Sequence, residues 1–307
     1  MRVHIGSVEL RSPIIAASGT CGTGAELARV ADIAAYGALV LKTVTRSARE
    51  GNRPPRIAET PCGMLNSIGL ENPGVERFCE HALVEARRLG VPLVASVAGA
   101  TPEEYAECAG VLDRAGGLVA IELNLSCPND RNPRGGRSPI AFGQDPRAAA
   151  EVVSAAHEAS SLPIWAKLTA CVADIAEVAR ACREAGAEAI TAVNTLPGMA
   201  VDVRLRRSAL GAPTGGLSGP ALRPVALRCV WEIARTVDIP VIGCGGIDSG
   251  EAAAAFLLAG ASAVQVGTAA LRDPLAGARI ARELAGVLAE MGASSVEEIV
   301  GTLEAGE

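Results

Sequence analysis

The chain has 307 residues, 49% of them hydrophobic but only 2% aromatic, with a net charge of −6 and a pI near 5.3. An acidic chain without a basic tract lacks the electrostatic footprint of a nucleic-acid binder, and no apolar run reaches the ~18 residues that span a bilayer. Met1-Arg2-Val3-His4 leads into mixed sequence with no signal-peptide core, and nine scattered cysteines without a C-x-x-C pair read as thiols in a reducing compartment, not as a zinc or iron–sulfur site. The expectation is a soluble cytoplasmic protein that holds no metal.

Strand-like and helix-like segments alternate along the whole chain. Strands are expected at 13–17, 38–44, 93–98, 119–125, 164–168, 189–193, 241–244 and 263–266. The helices that follow them are expected at 26–36, 75–89, 102–115, 146–159, 174–185, 220–237, 251–258 and 274–291. Thr101 and Pro102 supply an N-cap and a first-turn proline, and Gly186 a stop signal. Eight alternations in a chain of this length predict a single (β/α)8 TIM barrel spanning residues 1–307, with an open doubly wound sheet as the alternative. The scarcity of aromatics requires a core of Ala, Val, Leu and Ile, as in the layered interior of a parallel barrel. Two connections, 45–74 and 195–219, are too long for ordinary βα loops and should rise over the carboxyl face. A third, 130–144, carries Arg131, Arg134, Arg137 and Gly135-Gly136 and reads either as a lid or as a solvated surface loop.

The fourth strand ends in Glu122-Leu123-Asn124-Leu125-Ser126-Cys127-Pro128-Asn129. Pro128 stops the ladder, which leaves amides, a hydroxyl and an ionisable thiol at a strand's carboxyl end, where α/β proteins place their chemistry. A buried cysteine is most often a small hydrophobe; Asn124, Ser126 and Asn129 around Cys127 give it a different context. His4, His81 and His157 lie at the amino terminus or in predicted helices, so Cys127 is the best candidate base. Of 28 basic residues only Lys42 and Lys167 are lysines, and both close predicted strands. A chain that otherwise uses arginine throughout keeps an ammonium where its compact charge or tunable pKa is needed. Asn66, Asn124 and Asn194 fall where amides could meet a planar ligand; Asn52, Asn72 and Asn132 are better explained as turn residues. Gly245-Gly246 and Gly267-Thr268 close strands seven and eight, a common phosphate site in barrels.

Together these motifs resemble the dihydroorotate dehydrogenase family. The resemblance runs over nearly the whole chain, through Ala17-Ser18-Gly19-Thr20, Leu41-Lys42-Thr43, Asn52-Arg53-Pro54-Pro55-Arg56, Asn66 to Leu70, Asn72-Pro73-Gly74, Asn124 to Asn129, Val193-Asn194-Thr195, Gly215 to Pro220, Gly245-Gly246 and Gly267-Thr268. The cysteine at 127 is similar to the soluble class 1 enzymes; the membrane-associated class 2 has serine there and an N-terminal extension. Asn194 to Met199 and Gly215 to Pro220 look like class 1B. The resemblance implies FMN on this chain, a partner subunit carrying FAD and an iron–sulfur cluster, NAD as the final acceptor, and a homodimer at the core of a heterotetramer. It implies that Cys127 takes the C5 proton of dihydroorotate while hydride leaves C6, in de novo pyrimidine biosynthesis. Lys42, Asn66, Ser67, Ile68, Gly69, Leu70, Asn124, Asn194 and Thr195 would hold the substrate. Ser18, Lys42, Thr43, Asn124, Lys167, Val193 and Gly219 would contact FMN, with Gly245, Gly246, Gly267 and Thr268 at its phosphate.

The chain departs from the family pattern at Ser96, where an asparagine is usual, at Ala170-Cys171 in place of Pro-Asn, and in a longer loop after Asn129. Two other readings compete: a flavoenzyme acting on dihydropyrimidine bases, and a Schiff-base barrel lyase with Lys167 as nucleophile.

Overall fold

A computed structural model describes residues 1–129 and 137–304. Eight strands form a closed parallel barrel: β1 (Ile14–Ala16), β2 (Ala38–Val40), β3 (Leu93–Val97), β4 (Ala120–Asn124), β5 (Ile164–Leu168), β6 (Ala189–Ala192), β7 (Val241–Cys244) and β8 (Ala261–Val266). Each pairs with its neighbours in sequence, and β8 closes onto β1 through Val264, Gln265 and Val266 opposite Ile14, Ile15 and Ala16. Buried on both faces, these strands need no polar alternation, so they read in the sequence as short apolar runs.

The outer layer is α1 (Ala25–Ala28), α2 (Val75–Arg87, with a π-helical turn over Phe78–Ala82), α3 (Pro102–Ala115), α4 (Pro146–Ala159), α5 (Ile175–Glu184), α6 (Arg223–Ala234), α7 (Gly250–Leu258) and α8 (Ala276–Glu290). Side-chain oxygens of Thr101, Asp145, Asp174 and Ser249 accept backbone N–H groups at the starts of α3, α4, α5 and α7, satisfying donors that the first turn cannot pair. The helix expected over 26–36 is broken. Asp32 accepts the N–H of Ala34 and starts a separate 3-10 turn at Ile33–Ala35, the local competition that makes aspartate a poor interior helix residue.

Two features close the ends of the barrel. An antiparallel hairpin, Val3–Ile5 with Val8–Leu10, precedes β1 and buries Val3, Ile5, Val8 and Leu10 in the main core. Ser7 in its turn donates through N–H and hydroxyl to Glu188, the residue before β6, so the hairpin lies at the amino-terminal mouth. At the carboxyl end the two long loops interleave into one four-stranded antiparallel sheet, in the order Leu196–Gly198, Gly215–Ser218, Gly63–Asn66, Ile57–Thr60. The coverage of the carboxyl face is as expected, but the sheet joining the loops was not foreseen. Of the third loop, residues 130–136 and the lid reading that rests on them lie outside the described residues; Pro139–Gly143 is a short helix.

Candidate active site

The end of β2 is the first positioning device. Its ladder stops at Val40, the Lys42 N–H turns to the carbonyl of Gly22 at 2.9 Å, and the chain rejoins β3 where Val44 bridges Val97. Lys42 and Thr43 thereby sit in a kink at the barrel mouth. Lys42 is near enough to Cys127 for their charges to interact. Cys127 is 8% exposed and packs against Leu70 and Ala98. Burial pulls the Lys42 pKa below that of an ordinary lysine; Arg56 adds to this, while Cys127 and Glu71 oppose it.

A chain of hydroxyls and amides crosses the mouth. Ser18 Oγ donates to the carbonyl of Leu41 at 2.8 Å and shares a hydrogen bond with Thr43 Oγ1 at 3.2 Å. Thr43 in turn meets Ser96 Oγ at 2.9 Å and accepts from Asn124 Nδ2 at 3.4 Å. Asn124 Oδ1 accepts from Ser126 Oγ at 3.1 Å and from Asn194 Nδ2 at 3.3 Å, and Asn194 Nδ2 also donates to Ser126 Oγ at 2.9 Å. Ser96, the departure from the family pattern, thus joins this chain and is itself buried. Above it, Asn129 Nδ2 donates to the carbonyl of Asn66 at 2.9 Å, and Asn66 Nδ2 donates to the carbonyl of Gly216 at 3.2 Å. Thr195 lies beside Gly216, where a Cβ would come within 2.1 Å of the threonine hydroxyl.

Other expected residues act within the loop that carries them. Ser67 accepts from Asn52 at 2.8 Å, and the Ile68 carbonyl accepts the Asn52 N–H at 2.9 Å. Gly69 (φ 74°) and Leu70 (φ 56°) make the left-handed turn that brings Leu70 against Cys127. The buried Asn72 side chain bonds the backbone of Thr45, Leu70 and Gly74, as its turn reading implies. Val193 follows a cis peptide and donates to the carbonyl of Cys244 at 2.7 Å.

The expected phosphate residues converge. Gly246 (φ 74°) is so close to the carbonyl of Gly219 that a Cβ would stand 2.8 Å from it, and a Cβ on Gly219 would meet Thr268 and Gly63. Thr268 Oγ1 donates to Ser218 Oγ at 2.8 Å, and Arg223 Nε donates to the Gly246 carbonyl at 2.7 Å. Gly267 lies against Ala17 and Thr20, and Gly245 (φ 137°) against Ala226. The result is a cradle of close backbone approaches that side chains would fill.

Below the mouth lies a cluster that motif reasoning missed. Lys167 Nζ donates to Gln265 Oε1 at 2.7 Å and lies 3.4 Å from Glu122 Oε1, while Glu122 Oε2 accepts from Thr191 Oγ1 at 2.9 Å and from Gln265 Nε2. Glu122, Thr191 and Gln265 are fully buried. The available signal was a carboxylate and an amide, each flanked by apolar residues within a buried strand. Burial works against the Lys167 ammonium, yet its pKa is raised above the ordinary value because Cys244, Glu122 and Cys21 outweigh that penalty.

The model of the family described as dihydroorotate dehydrogenase matches residues 1–288. The chain belongs to the dihydroorotate dehydrogenase family. It is 46% identical over 304 residues to a protein of Geobacter sp. (strain M21), covering 99% of this chain and 98% of that one. It is 48% identical to one of Trichlorobacter lovleyi at the same coverage. It is also 48% identical to one of Desulforudis audaxviator, over 97% of this chain and 96% of that one. All three are named dihydroorotate dehydrogenase B (NAD(+)), catalytic subunit. A solved structure of DHODH from Eimeria tenella, in complex with ferulenol, superposes with a TM-score of 0.83 at 20% identity, over 98% of this chain and 88% of that one, and bears on the fold alone. The family uses a flavin. The residues here suit one: a glycine cradle for a phosphate, a polar chain along the mouth, and a buried cation at Lys167.

Proposed function

We propose that this chain is the FMN-bearing catalytic subunit of an NAD-linked dihydroorotate dehydrogenase, oxidising dihydroorotate to orotate with Cys127 as the base. The observation that carries the reading is the convergence at one barrel mouth of a thiol, a nearby lysine and the amides of Asn66, Asn124 and Asn194. The Lys42 ammonium pairs with the substrate carboxylate, and the amides and Thr195 fix the ring through its alternating carbonyls and N–H groups. Held in this way, the substrate presents its C5 proton to Cys127, and Leu70 and Ala98 keep water from the sulfur. The chemistry that FMN would supply here is acceptance of the C6 hydride. Ser18, Lys42, Thr43, Asn124, Lys167, Val193 and Gly219 would hold the flavin, with Gly245, Gly246, Gly267 and Thr268 at its phosphate. Lys167 stands ready to offset negative charge on the ring.

A partner subunit with FAD and an iron–sulfur cluster would carry electrons to NAD, on a homodimeric core within a heterotetramer. Among the described residues no helix is long and apolar enough to cross a membrane, and we assign the protein to the cytoplasm. The lyase reading is disfavoured by Lys167 itself. A Schiff-base nucleophile needs a neutral amine, and this one is paired with Glu122, its pKa raised. The dihydropyrimidine reading leaves Lys42 without a carboxylate to bind.

The test is anaerobic. The purified chain should be yellow, and dihydroorotate should bleach its absorbance near about 450 nm, a property of oxidised flavin, with orotate formed. Cys127→Ala should keep the flavin and lose roughly 10²- to 10⁴-fold in turnover, the usual contribution of a positioned base. Near-normal turnover in that variant would remove Cys127 from the base role, and dihydrouracil oxidised as readily as dihydroorotate would favour the other substrate.

A further inference from the structure

The interior cluster around Lys167 has no place in substrate binding, yet it places a carboxylate in the barrel core at high cost. An ion buried without a partner is strongly disfavoured, so the partners must be accounted for from every side. Glu122 comes from β4, Lys167 from β5, Thr191 from β6 and Gln265 from β8, and Cys244 of β7 and Cys21 after β1 complete the surroundings of the ammonium. Burial pushes both thiols up, Cys21 to about 12, so at neutral pH they carry no charge, and their support of the ammonium is confined to the alkaline range where they ionise. The standing anion beside Lys167 among the described residues is therefore Glu122, and Thr191 and Gln265 hold that carboxylate by donating to its second oxygen.

We propose that Glu122 is a positioning residue that keeps Lys167 charged and fixed, so that a complete positive charge is in place before electrons arrive at the flavin. The inference rests on the flavin reading above. Gln265 extends the same device: its carbonyl oxygen accepts from Lys167 while its amide nitrogen donates to Glu122, so the ammonium and the carboxylate are tied through a third side chain across the barrel. A cation fixed in this manner needs no reorganisation when charge develops beside it. Without the carboxylate, no neighbouring anion at neutral pH among the described residues would offset burial, leaving the neutral Gln265 carbonyl to hold the ammonium, and buried lysines are known to fall as far as a pKa of ~5–6. Lys167 would then be neutral with the flavin oxidised and would take up a proton when reduction placed an anion beside it.

The midpoint potential of the bound flavin, measured against pH above about 8, where the reduced ring in a cationic site binds a single proton, reads this directly. The native chain should show one proton per electron pair, because Lys167 is charged in both states. E122Q should remain yellow, show a lower potential, and show two protons per electron pair; E122D, which keeps the charge, should return to one. An E122Q protein with the native potential and slope would overturn the proposal, and so would a two-proton slope in the native chain, a measurement that stands if E122Q does not fold. A colourless native chain would overturn the flavin reading itself, whereas a yellow one with an unshifted E122Q would overturn only the role of Glu122.

Discussion

At the scale of single residues, the chemistry of Lys42 follows from where the chain has kinked it. Lys42, proposed above to meet an anionic substrate, has its pKa lowered by burial, and Arg56 adds to that while Cys127 and Glu71 resist it. The sign of the pH dependence follows. On the proposed function the protonated form binds the carboxylate, deprotonation comes as pH rises, and a lowered pKa brings that loss to a pH below the ordinary lysine value of about 10.4. Orotate affinity, read from the perturbed flavin spectrum, should therefore begin to fall at a lower pH than an unperturbed lysine would cause. The Lys42→Met variant should bind weakly at all pH values and lack this alkaline fall. An affinity in the native protein that stays constant to pH 10 would mean that the carboxylate is held by another group.

At the scale of elements, the sheet over the mouth couples two loops that the sequence keeps far apart. Asn66 pairs with Gly216 across 150 positions, and Thr195 occupies the space a side chain on Gly216 would need, with its hydroxyl 2.1 Å from the ideal Cβ position. Gly216→Ala must move Thr195 or spread the sheet. Positioning losses near 1 Å can reduce rates by about 10²-fold, so kcat/KM for dihydroorotate should fall about 10- to 100-fold with flavin content unchanged. The flavin content is the control, because the glycine cradle is built from Gly219, Gly246 and Thr268 and does not include this residue. An alanine variant with native kcat/KM would show that Thr195 does not hold substrate.

At the scale of the whole molecule, what was legible in the sequence was what is local. Barrel strands buried on both faces appear as apolar runs, and Thr101 marks a helix start because a cap acts within three residues. Candidate site residues at strand ends stand out because a polar group where an apolar run stops is visible one residue at a time. Glu122 stands within such a run but its partners were hidden, since Gln265 bonds it from 143 positions away. The loop sheet was hidden for the same reason. Asp32, whose side chain captures a nearby N–H, was a local signal outweighed by the apolar residues around it.

The amino-terminal hairpin is a last case of long-range packing, and it bears on how the barrel unfolds. Ile5 and Leu10 are fully buried and belong to the same core as the barrel strands and outer helices, while Ser7 ties the hairpin turn to Glu188 at the start of β6. A segment that shares the core in this way should unfold with it, although it comes before the first barrel strand and could in principle fray alone. Replacing a fully buried isoleucine by alanine costs about 2–5 kcal/mol, as transfer and cavity terms add. Ile5→Ala should therefore lower the urea midpoint of the entire chain with the slope unchanged, in a single transition seen alike by far-UV circular dichroism and by tryptophan fluorescence. Trp165 lies within β5 and Trp231 on α6, so the fluorescence reports on the barrel and not on the hairpin. If the variant left the tryptophan transition in place while circular dichroism gained an early step, the hairpin would be a separate unit and the amino-terminal mouth would be closed without its help.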